Sequence, residues 1–360
     1  MDYMSAKEAA EKWHITQRRV AILCSENRIP NAEMLGNMWL IPADAEKPAD
    51  GRSVKIKQDK KAKPFVKWAG GKSQLIEEIS KRFPNGIGNK IVKYAEPFVG
   101  GGAILFEILS KYNLEEVFIS DINEDLINCY QVIKKEPEAL VEMLQAMQNE
   151  FSALDLEKRK EYYYDKRNLY NHVKFNYSCD MLLARTALFM FLNKTCFNGL
   201  YRVNSKGLYN VPMGAYKNPL ICDTENILAV SEKLQNVQIH CGDFRESVNY
   251  IDSNTFVYFD PPYRPISNTS AFTSYNQEAF TDEQQYALAV YFKELSMKGS
   301  KLLLSNSDPK NYDEADDFFD SLYKGFHIDR VSAVRMINSK ATGRGKIKEL
   351  LIYNYEVNAQ

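Results

Sequence analysis

Short apolar runs recur along most of the chain, with stretches of helical periodicity between several of them. Five runs rich in β-branched and aromatic residues predict buried strands: IVKYAE (91–96), VFISD (117–121), VQIHC (237–241), TFVYFD (255–260) and KLLLSN (301–306). Two later runs, IDRVSAVRMI and KELLIYNYEV, suit a closing antiparallel pair. The alternation predicts an α/β fold with a mostly parallel sheet and helices on both faces.

The first 46 residues follow a different pattern. In SAKEAAEKW, Ser5 precedes Glu8 by three positions, which is typical of a capping box at a helix start. A second helical stretch, QRRVAILCSENRI, begins with Arg18 and Arg19. Two short helices joined by a tight turn predict a helix-turn-helix module, and GNMWLIP (36–42) predicts a small strand or wing.

Changes of composition divide the rest of the chain. Residues 47–63 are polar and basic, which favours a solvated linker over a phosphate-binding arm. A long helical and loop segment, residues 126–225, separates the second predicted strand from the third. The predicted sheet domain therefore consists of residues 64–125 and 226–360, with 126–225 inserted.

Composition excludes few classes of protein. The net charge of -1 does not argue against nucleic-acid binding, which needs only a local basic face. No apolar run approaches the roughly 18 residues of a membrane span, so we expect a cytosolic protein without membrane contact. The six cysteines form no C-x-x-C pair and no metal-ligand cluster is evident, so we expect neither disulfides nor a metal.

The stretch FVYFDPPY, residues 256–263, places a carboxylate at the end of a predicted strand. Pro261 and Pro262 cannot continue the strand because proline lacks a ladder donor. Asp260 should therefore lie at the carboxyl edge, where open α/β sheets bind ligands. Its carboxylate and the Pro261 carbonyl can accept both hydrogens of an exocyclic amine such as that of adenine, and Tyr263 can stack on the base. In a duplex that amine is paired, so the base would have to be extruded.

A second motif, AEPFVGGG (95–102), has three glycines between a predicted strand and a helix. It is not the dinucleotide-binding fingerprint, because Leu105 occupies the last position of a frame that starts at Gly100. Asp121 ends the next predicted strand, where an acidic residue can accept hydrogen bonds from ribose hydroxyls. The two motifs together favour an adenosine-bearing ligand.

Two more stretches suit the same site. FVKWAGGKS lacks the first glycine of a phosphate-binding loop, since Val66 is there, but Trp68 offers a stacking face and Lys72 can hold a carboxylate. CGDF ends another predicted strand on Asp243. We expect this strand beside the one that ends in DPPY, with Asp243 contacting an adenine amine.

In this order, KWAGGK, EPFVGGG, SDIN, CGDF and DPPY resemble the Dam-type DNA adenine-N6 methyltransferases, the alpha group of amino-methyltransferases. The resemblance covers residues 64–356. It implies a Rossmann-like, S-adenosylmethionine-dependent methyltransferase sheet with an inserted, mainly helical target-recognition domain. It also implies methyl transfer to N6 of adenine in duplex DNA. SAFTSYNQEAFTDEQQ (270–285) is similar to the family's loop after DPPY.

Site residues carry over from the resemblance. The implied catalytic residues are Asp260, Pro261, Pro262 and Tyr263. Asp121 would bind the ribose of S-adenosylmethionine, and Asp243 with Phe244 would hold its adenine. The whole implied cofactor set is Trp68, Gly70, Lys72, Phe98, Gly100, Asp121, Asp243, Phe244 and Asp260. Transfer from a sulfonium needs no metal.

CFNGLYRVNSKGLYNVPMGAY, residues 196–216, resembles the recognition hairpin of enzymes that methylate adenine in GATC. By that resemblance Arg202 would read one guanine through its two major-groove acceptors, and Lys67 would contact the other. Leu200 and Pro212 would make apolar base contacts. The alternative interpretation of this segment is an ordinary surface turn.

Two further residues of the hairpin have implied roles. Asn198 would lie near the vacated base position, and Phe197, where tyrosine is often found, would wedge into the base stack. The amino-terminal module resembles MerR-type or excisionase-type modules and would contact DNA through Arg18 and Arg19. These arginines as solvated helix charges are the competing interpretation.

Other hypotheses stay open from the sequence. The protein could be a DNA-binding regulator that retains a methyltransferase fold, or it could methylate another adenine site or RNA. Cytosine-C5 methylation is not indicated, because none of the six cysteines follows a proline. We expect double-stranded DNA as partner, a monomer in solution and association with a bacterial or phage nucleoid. A cognate restriction endonuclease is an open question.

Overall fold

The computed structural model describes residues 3–13, 15–26, 28–35, 38–48, 61–68, 70–176, 181–264, 280–334 and 346–357. The chain forms two compact units, Met1–Asp59 and Lys60–Gln360. Residues 49–60 of the predicted linker and 270–279 of the predicted loop after DPPY lie outside the described residues, as do residues 265–269. Of the described helices, none combines the length and apolarity that crossing a membrane requires.

The amino-terminal unit pairs two helices with a small antiparallel sheet of order β1-β3-β2. Its elements are β1 (Tyr3–Ser5), α1 (Ala6–Trp13), α2 (Gln17–Ser25), β2 (Glu33–Leu35) and β3 (Met38–Pro42). The predicted capping box forms, since Glu8 N donates to Ser5 Oγ at 3.3 Å and Ser5 N donates to Glu8 Oε2 at 2.7 Å. Both predicted helices are present, and a DNA-binding role for them stays a prediction.

The second unit is built on a seven-stranded sheet of order β6-β5-β4-β7-β8-β10-β9. Its strands are β4 (Lys93–Glu96), β5 (Glu116–Asp121), β6 (Val237–Cys241), β7 (Thr255–Phe259), β8 (Lys301–Ser307), β9 (His327–Val334) and β10 (Lys346–Tyr353). Neighbours from β6 to β8 are parallel, whereas β10 is antiparallel to both β8 and β9. All seven predicted strands are therefore present, and residues 335–337 of the run IDRVSAVRMI lie outside the described residues.

Helices cover both faces of this sheet, as predicted. They are α3 (Ile76–Ser80), α4 (Ala103–Lys111), α5 (Glu124–Lys135), α6 (Pro137–Ala153), α7 (Leu156–Phe175), α8 (Leu182–Thr195), α9 (Thr224–Leu234), α10 (Asp282–Met297) and α11 (Phe318–Leu322). Successive residues of β7 point to opposite faces. Phe256 and Tyr258 pack in the core beneath α4 to α9, and Val257 and Phe259 pack in the core beneath α10 and α11. Burial on both faces explains why β7 reads as a continuous apolar run.

A buried ionic cluster joins α7 and α8 to the first turn of α5. Arg185 on α8 contacts Asp125 on α5, with Nη2 2.6 Å from Oδ1, and Lys174 on α7 lies 2.9 Å from Asp125 Oδ2. Burial alone would raise the pKa of Asp125, but the charges of Lys174 and Arg185 together with tyrosine hydrogen bonds, such as that from Tyr201, outweigh it and hold that pKa below its usual range. The cluster therefore fixes the helices to one another just after the carboxyl end of β5.

The turn after β4 depends on glycine. Gly102 has a φ of +77°, a left-handed conformation that L side chains rarely adopt. A Cβ at this position would lie 2.5 Å from the Tyr130 hydroxyl and 2.9 Å from a ring carbon of Phe106. The turn can therefore pack against α4 and α5 only without a side chain.

We expect Arg185→Ala to lower the free energy of unfolding by about 3 to 5 kcal/mol, because a buried carboxylate would lose its closest partner. Urea unfolding followed by circular dichroism measures this loss. Lys81→Ala, which removes exposed pairs with Glu77 and Glu78, should leave the urea midpoint almost unchanged. Similar midpoint shifts in both variants would show that the buried cluster contributes no more to stability than the exposed pairs of Lys81.

We expect Gly102→Ala to destabilise the protein more than Gly325→Ala. Both glycines have positive φ, but a Cβ at Gly325 would meet no atom within 4 Å, so only the conformational cost of about 1 to 2 kcal/mol applies there. Thermal unfolding of the two variants isolates the effect of the contact with Tyr130. Equal melting temperatures would show that the turn accommodates the added methyl group at position 102 with no further loss of stability.

Candidate active site

Three strand ends meet at the carboxyl edge of the sheet. From β4 the chain proceeds outward through β5 and β6, and then returns to place β7 on the other side of β4. Ligands of open α/β sheets bind at such a reversal of strand order. The turn containing Gly100 follows β4, Asp121 ends β5, and Asp260 follows β7. The structure thus brings the EPFVGGG, SDIN and DPPY motifs to one edge.

Asp260 is held through one of its two oxygens. Lys72 Nζ lies 2.6 Å from Oδ1, and Ser305 Oγ on β8 donates to the same oxygen at 3.1 Å. A hydroxyl contact of 2.8 Å joins Ser305 to Tyr258 on β7. Among the described residues, no hydrogen bond ends on Oδ2 of Asp260, which leaves this oxygen available as an acceptor.

The pKa of Asp260 is raised above its usual value. Burial raises it, and the positive charge of Lys72 together with the hydrogen bonds from Lys72 and Ser305 offsets only part of this effect. A carboxylate in this environment binds a proton more readily than one in water.

Lys72 is committed to groups of the protein. Its ammonium group donates to Tyr263 Oη at 2.8 Å and to Gly70 O at 3.0 Å, in addition to its contact with Asp260. Burial lowers the pKa of Lys72, but the charge and hydrogen bond of Asp260, together with Tyr258 and Glu349, more than compensate, so that pKa is raised overall. An ammonium group has three donors, so Lys72 could hold a ligand carboxylate only by exchanging one of these partners.

Tyr263 and Glu349 extend the same cluster. The Tyr263 hydroxyl donates to Glu349 Oε2 at 2.7 Å, and the Tyr263 ring centroid lies 4.6 Å from Lys72 Nζ. Glu349 lies on β10 and is buried. Ser305 and Glu349 were not identified from the sequence. The available signal was a polar residue directly beside the apolar run of its strand, LLL before Ser305 and LLI after Glu349.

Asp121 joins the end of β5 to the glycine turn. Its Oδ2 accepts from Gly100 N at 3.1 Å, and its Oδ1 accepts from Asn123 N at 2.9 Å. Burial raises the pKa of Asp121 to about 6, although the backbone N–H groups oppose that shift. The Trp68 ring covers the turn so closely that a Cβ at Gly100 would lie 3.0 Å from its Cδ1. The carboxylate and the turn are therefore preorganised as one unit.

The predicted position of the CGDF strand is wrong. β6 is the outer strand next to β5, so β5 and β4 separate it from β7. Strands that follow one another in sequence are not neighbours where the strand order reverses. Asp243 caps the short 3-10 helix Phe244–Asn249 and accepts from Arg245 Nε at 2.6 Å. Phe244 is buried and stacks on Phe98, with ring centroids 5.4 Å apart.

Residues 196–216 form the predicted hairpin. Bridges between Cys196 and Met213 and between Val203 and Tyr209 pair its two arms. Arg202 is exposed, and its Nε donates to Asn210 Oδ1 at 2.7 Å. The other side chains predicted to contact DNA from this region are exposed except for the half-buried Leu200: Lys67, Phe197, Asn198 and Pro212.

One face of α7 supports the hairpin. Asn171 Nδ2 donates to Tyr209 O at 3.1 Å and Asn171 Oδ1 accepts from Tyr209 N at 2.8 Å, as a neighbouring strand would. Tyr163 Oη donates to Val211 O at 2.8 Å. Asn171 and Tyr163 were not identified from the sequence. Their signal is a spacing of eight, which places both side chains on one helix face.

Arg18 and Arg19 lie on α2 of the amino-terminal unit, where Arg18 is exposed and Arg19 is half-buried. Their predicted contact with DNA stays a prediction. In the part of the chain that the structure describes, no group of three or more His, Cys, Asp or Glu side chains is arranged to hold a metal ion.

Comparison with known proteins identifies the family to which the chain belongs. Residues 68–337 match the model of the D12 class N6 adenine-specific DNA methyltransferases. The chain is 52% identical over 296 residues to the "Type II methyltransferase M.MjaIII" of Methanocaldococcus jannaschii, covering 81% of this chain and 99% of that protein. It is 42% identical to the "Type II methyltransferase M1.LlaDCHI" of Lactococcus lactis subsp. cremoris, covering 81% of this chain and 95% of that protein.

A third relative is the "DNA adenine methylase" of Vibrio cholerae, which is 36% identical and covers 81% of this chain and 96% of that protein. These matches confirm the resemblance to DNA adenine-N6 methyltransferases inferred from the sequence, whereas GATC specificity and the helix-turn-helix role of the amino-terminal unit stay predictions. The chain belongs to the D12 class of N6 adenine-specific DNA methyltransferases.

Proposed function

We propose that this enzyme transfers a methyl group from S-adenosylmethionine to N6 of an adenine within GATC in duplex DNA, after the base has been flipped out of the helix. One observation carries the chemistry: Asp260 is fixed through Oδ1 by Lys72 and Ser305, and no described residue donates to its Oδ2. A fixed carboxylate with one available oxygen suits recognition of an amine.

The adenine amine is a weak nucleophile, because its lone pair is delocalised into the ring. Asp260 Oδ2 and the Pro261 carbonyl accept its two hydrogens and so direct the lone pair away from the ring plane. Bound S-adenosylmethionine supplies an electrophilic methyl group. N6 must afterwards lose a proton, and the raised pKa of Asp260 makes that carboxylate a better proton acceptor.

The residues of the carboxyl edge fit an adenosine-bearing cofactor. Asp121 is half-buried at the end of β5 and has the acceptor chemistry that a ribose diol requires. Gly70 has a φ of +74°, and a Cβ built there would meet no atom within 4 Å, which leaves room for a ligand against the backbone. Phe98 and Phe244 provide an apolar wall nearby.

The proposal that GATC is the target sequence is based on the hairpin of residues 196–216. Lys67 adjoins its base, since Lys67 Nζ lies 4.1 Å from the ring centroid of Tyr216. The two cations proposed to read guanine, Lys67 and Arg202, are both exposed for contact with base edges. The relative named DNA adenine methylase supports an adenine target. The Type II names of two others support a cognate restriction endonuclease as a partner.

Incubation with methyl-labelled S-adenosylmethionine and two duplexes, one with GATC and one with that site scrambled, tests the proposal. Nucleosides are identified by mass spectrometry after digestion. We expect labelled N6-methyladenine only from the GATC duplex. Label in both duplexes would overturn the proposed target while preserving the chemistry. No label in either, with the cofactor demonstrably bound, would favour a DNA-binding regulator or an RNA substrate.

In the same assay we expect Asp260→Ala to lower kcat by about a hundredfold or more, because one of the two acceptors for the N6 hydrogens is removed. Binding of S-adenosylhomocysteine, measured by calorimetry, should show that the cofactor pocket is intact. Turnover at the normal rate by Asp260→Ala would refute the proposed chemistry.

The pKa of about 6 at Asp121 predicts that cofactor affinity depends on pH. Ribose hydroxyls donate to the ionised carboxylate, so protonation of Asp121 in the free enzyme opposes binding. The dissociation constant of S-adenosylhomocysteine should be nearly constant well above this pKa and rise as pH falls through about 6. Calorimetry across that range measures it. Asp121→Asn should bind more weakly and with a flat pH profile, and a slope retained in that variant would contradict the assignment.

A further inference from the structure

Asn193 lies near the end of α8, between the two segments proposed to read DNA. Its side chain is only 2% exposed. Oδ1 accepts from Lys67 N at 2.8 Å, while Nδ2 donates to Lys67 O at 2.8 Å and to Gly199 O at 3.1 Å. A single amide therefore binds both backbone polar groups of Lys67 and a backbone carbonyl at the base of the hairpin.

The two segments held by Asn193 are in close contact. Gly199 has a φ of +64°, and a Cβ there would lie 2.3 Å from Lys67 Cδ and 2.5 Å from Lys67 Cβ. The Lys67 stem thus occupies the space where a side chain at position 199 would lie. Any shift of one segment relative to the other would open a gap or produce a clash.

All three bonds from Asn193 end on main-chain atoms. Their effect is therefore on the position of Lys67 and of the hairpin, whatever side chains these segments carry. A buried amide that forms hydrogen bonds with the backbone of two segments fixes their spacing. If its hydrogen bonds to either segment are lost, buried polar groups remain unpaired.

We propose that Asn193 is a positioning residue for target recognition. It sets the spacing between Lys67 and the hairpin that carries Arg202, so that reading of both guanines of the site depends on an amide that contacts no base. This inference rests on the proposed GATC specificity and adds a residue that controls it.

The distinguishing prediction concerns two positions at once. Arg202→Ala should lose discrimination at one G·C pair, and Lys67→Ala at the other. Asn193→Ala should lose it at both, because both readers move relative to each other. A bidentate base contact supplies roughly tenfold discrimination or more, so we expect losses of about that size at each pair.

The test measures kcat/KM of the full chain on three duplexes: GATC, and two derivatives in which one or the other G·C pair is changed. Thr195→Val is the matched control. Thr195 is also buried on α8, but its hydroxyl bonds within the helix, to Phe191 O at 2.7 Å. This variant should keep the discrimination of the wild type at both pairs.

Asn193→Asp provides a second variant if Asn193→Ala is poorly folded. It retains the side-chain volume and the acceptor for Lys67 N, and it loses the donors to Lys67 O and Gly199 O. Thermal unfolding of each variant separates loss of stability from loss of discrimination. Both variants should relax selectivity at both pairs.

Reduced turnover on GATC with unchanged ratios among the three duplexes would overturn the inference, because a merely structural role predicts that pattern. Relaxation at a single pair would also overturn it. A wild-type enzyme that methylates all three duplexes equally would refute the proposed GATC specificity and the inference with it. If the wild type discriminates among the three duplexes and the Asn193 variants do so equally well, the inference is refuted and the proposed GATC specificity stands.

Discussion

The ion pair between Lys72 and Asp260 is the contact on which the site depends. Removing two charges from water costs several kcal/mol for each, and a buried pair is tolerated only when its remaining hydrogen-bonding capacity is satisfied. Lys72 meets this condition with Asp260, Tyr263 and Gly70. The pair ties the segment that precedes the first strand of the sheet to the end of β7. Because Tyr263 also bonds to Glu349, the same contact reaches β10.

The surroundings of Asp260 set both the orientation and the proton affinity of this proposed catalytic carboxylate. Lys72 and Ser305 converge on one oxygen of Asp260, which fixes the plane of the group, while burial keeps the pKa of that carboxyl raised. A carboxylate on a solvated loop would have neither property. The diproline that follows keeps the next carbonyl close to the strand end.

Much of this fold and site could be predicted from the sequence. Strands buried on both faces, such as β7, read as apolar runs, and DPPY marks a strand end because proline cannot extend a ladder. The position of β6 could not be predicted from its sequence, since nothing in VQIHC states which strand lies beside it. Asn193 and Arg185 were recognisable in principle. α8 is buried on nearly all sides, so a polar residue within it needs a specific partner. The sequence shows that such a residue needs a hydrogen-bond partner but does not identify it. For Asn193 the partner is Lys67, which lies 126 positions away.

The close approach of Gly199 to Lys67 has a consequence for engineering the target specificity that we propose for the hairpin. A recognition hairpin grafted from a relative would fit this scaffold only if it had glycine at that position and a carbonyl placed to meet Asn193. The natural cassette for exchange is therefore discontinuous in sequence. It comprises the segment around Lys67, the end of α8 and residues 196–216, which would have to be transplanted together.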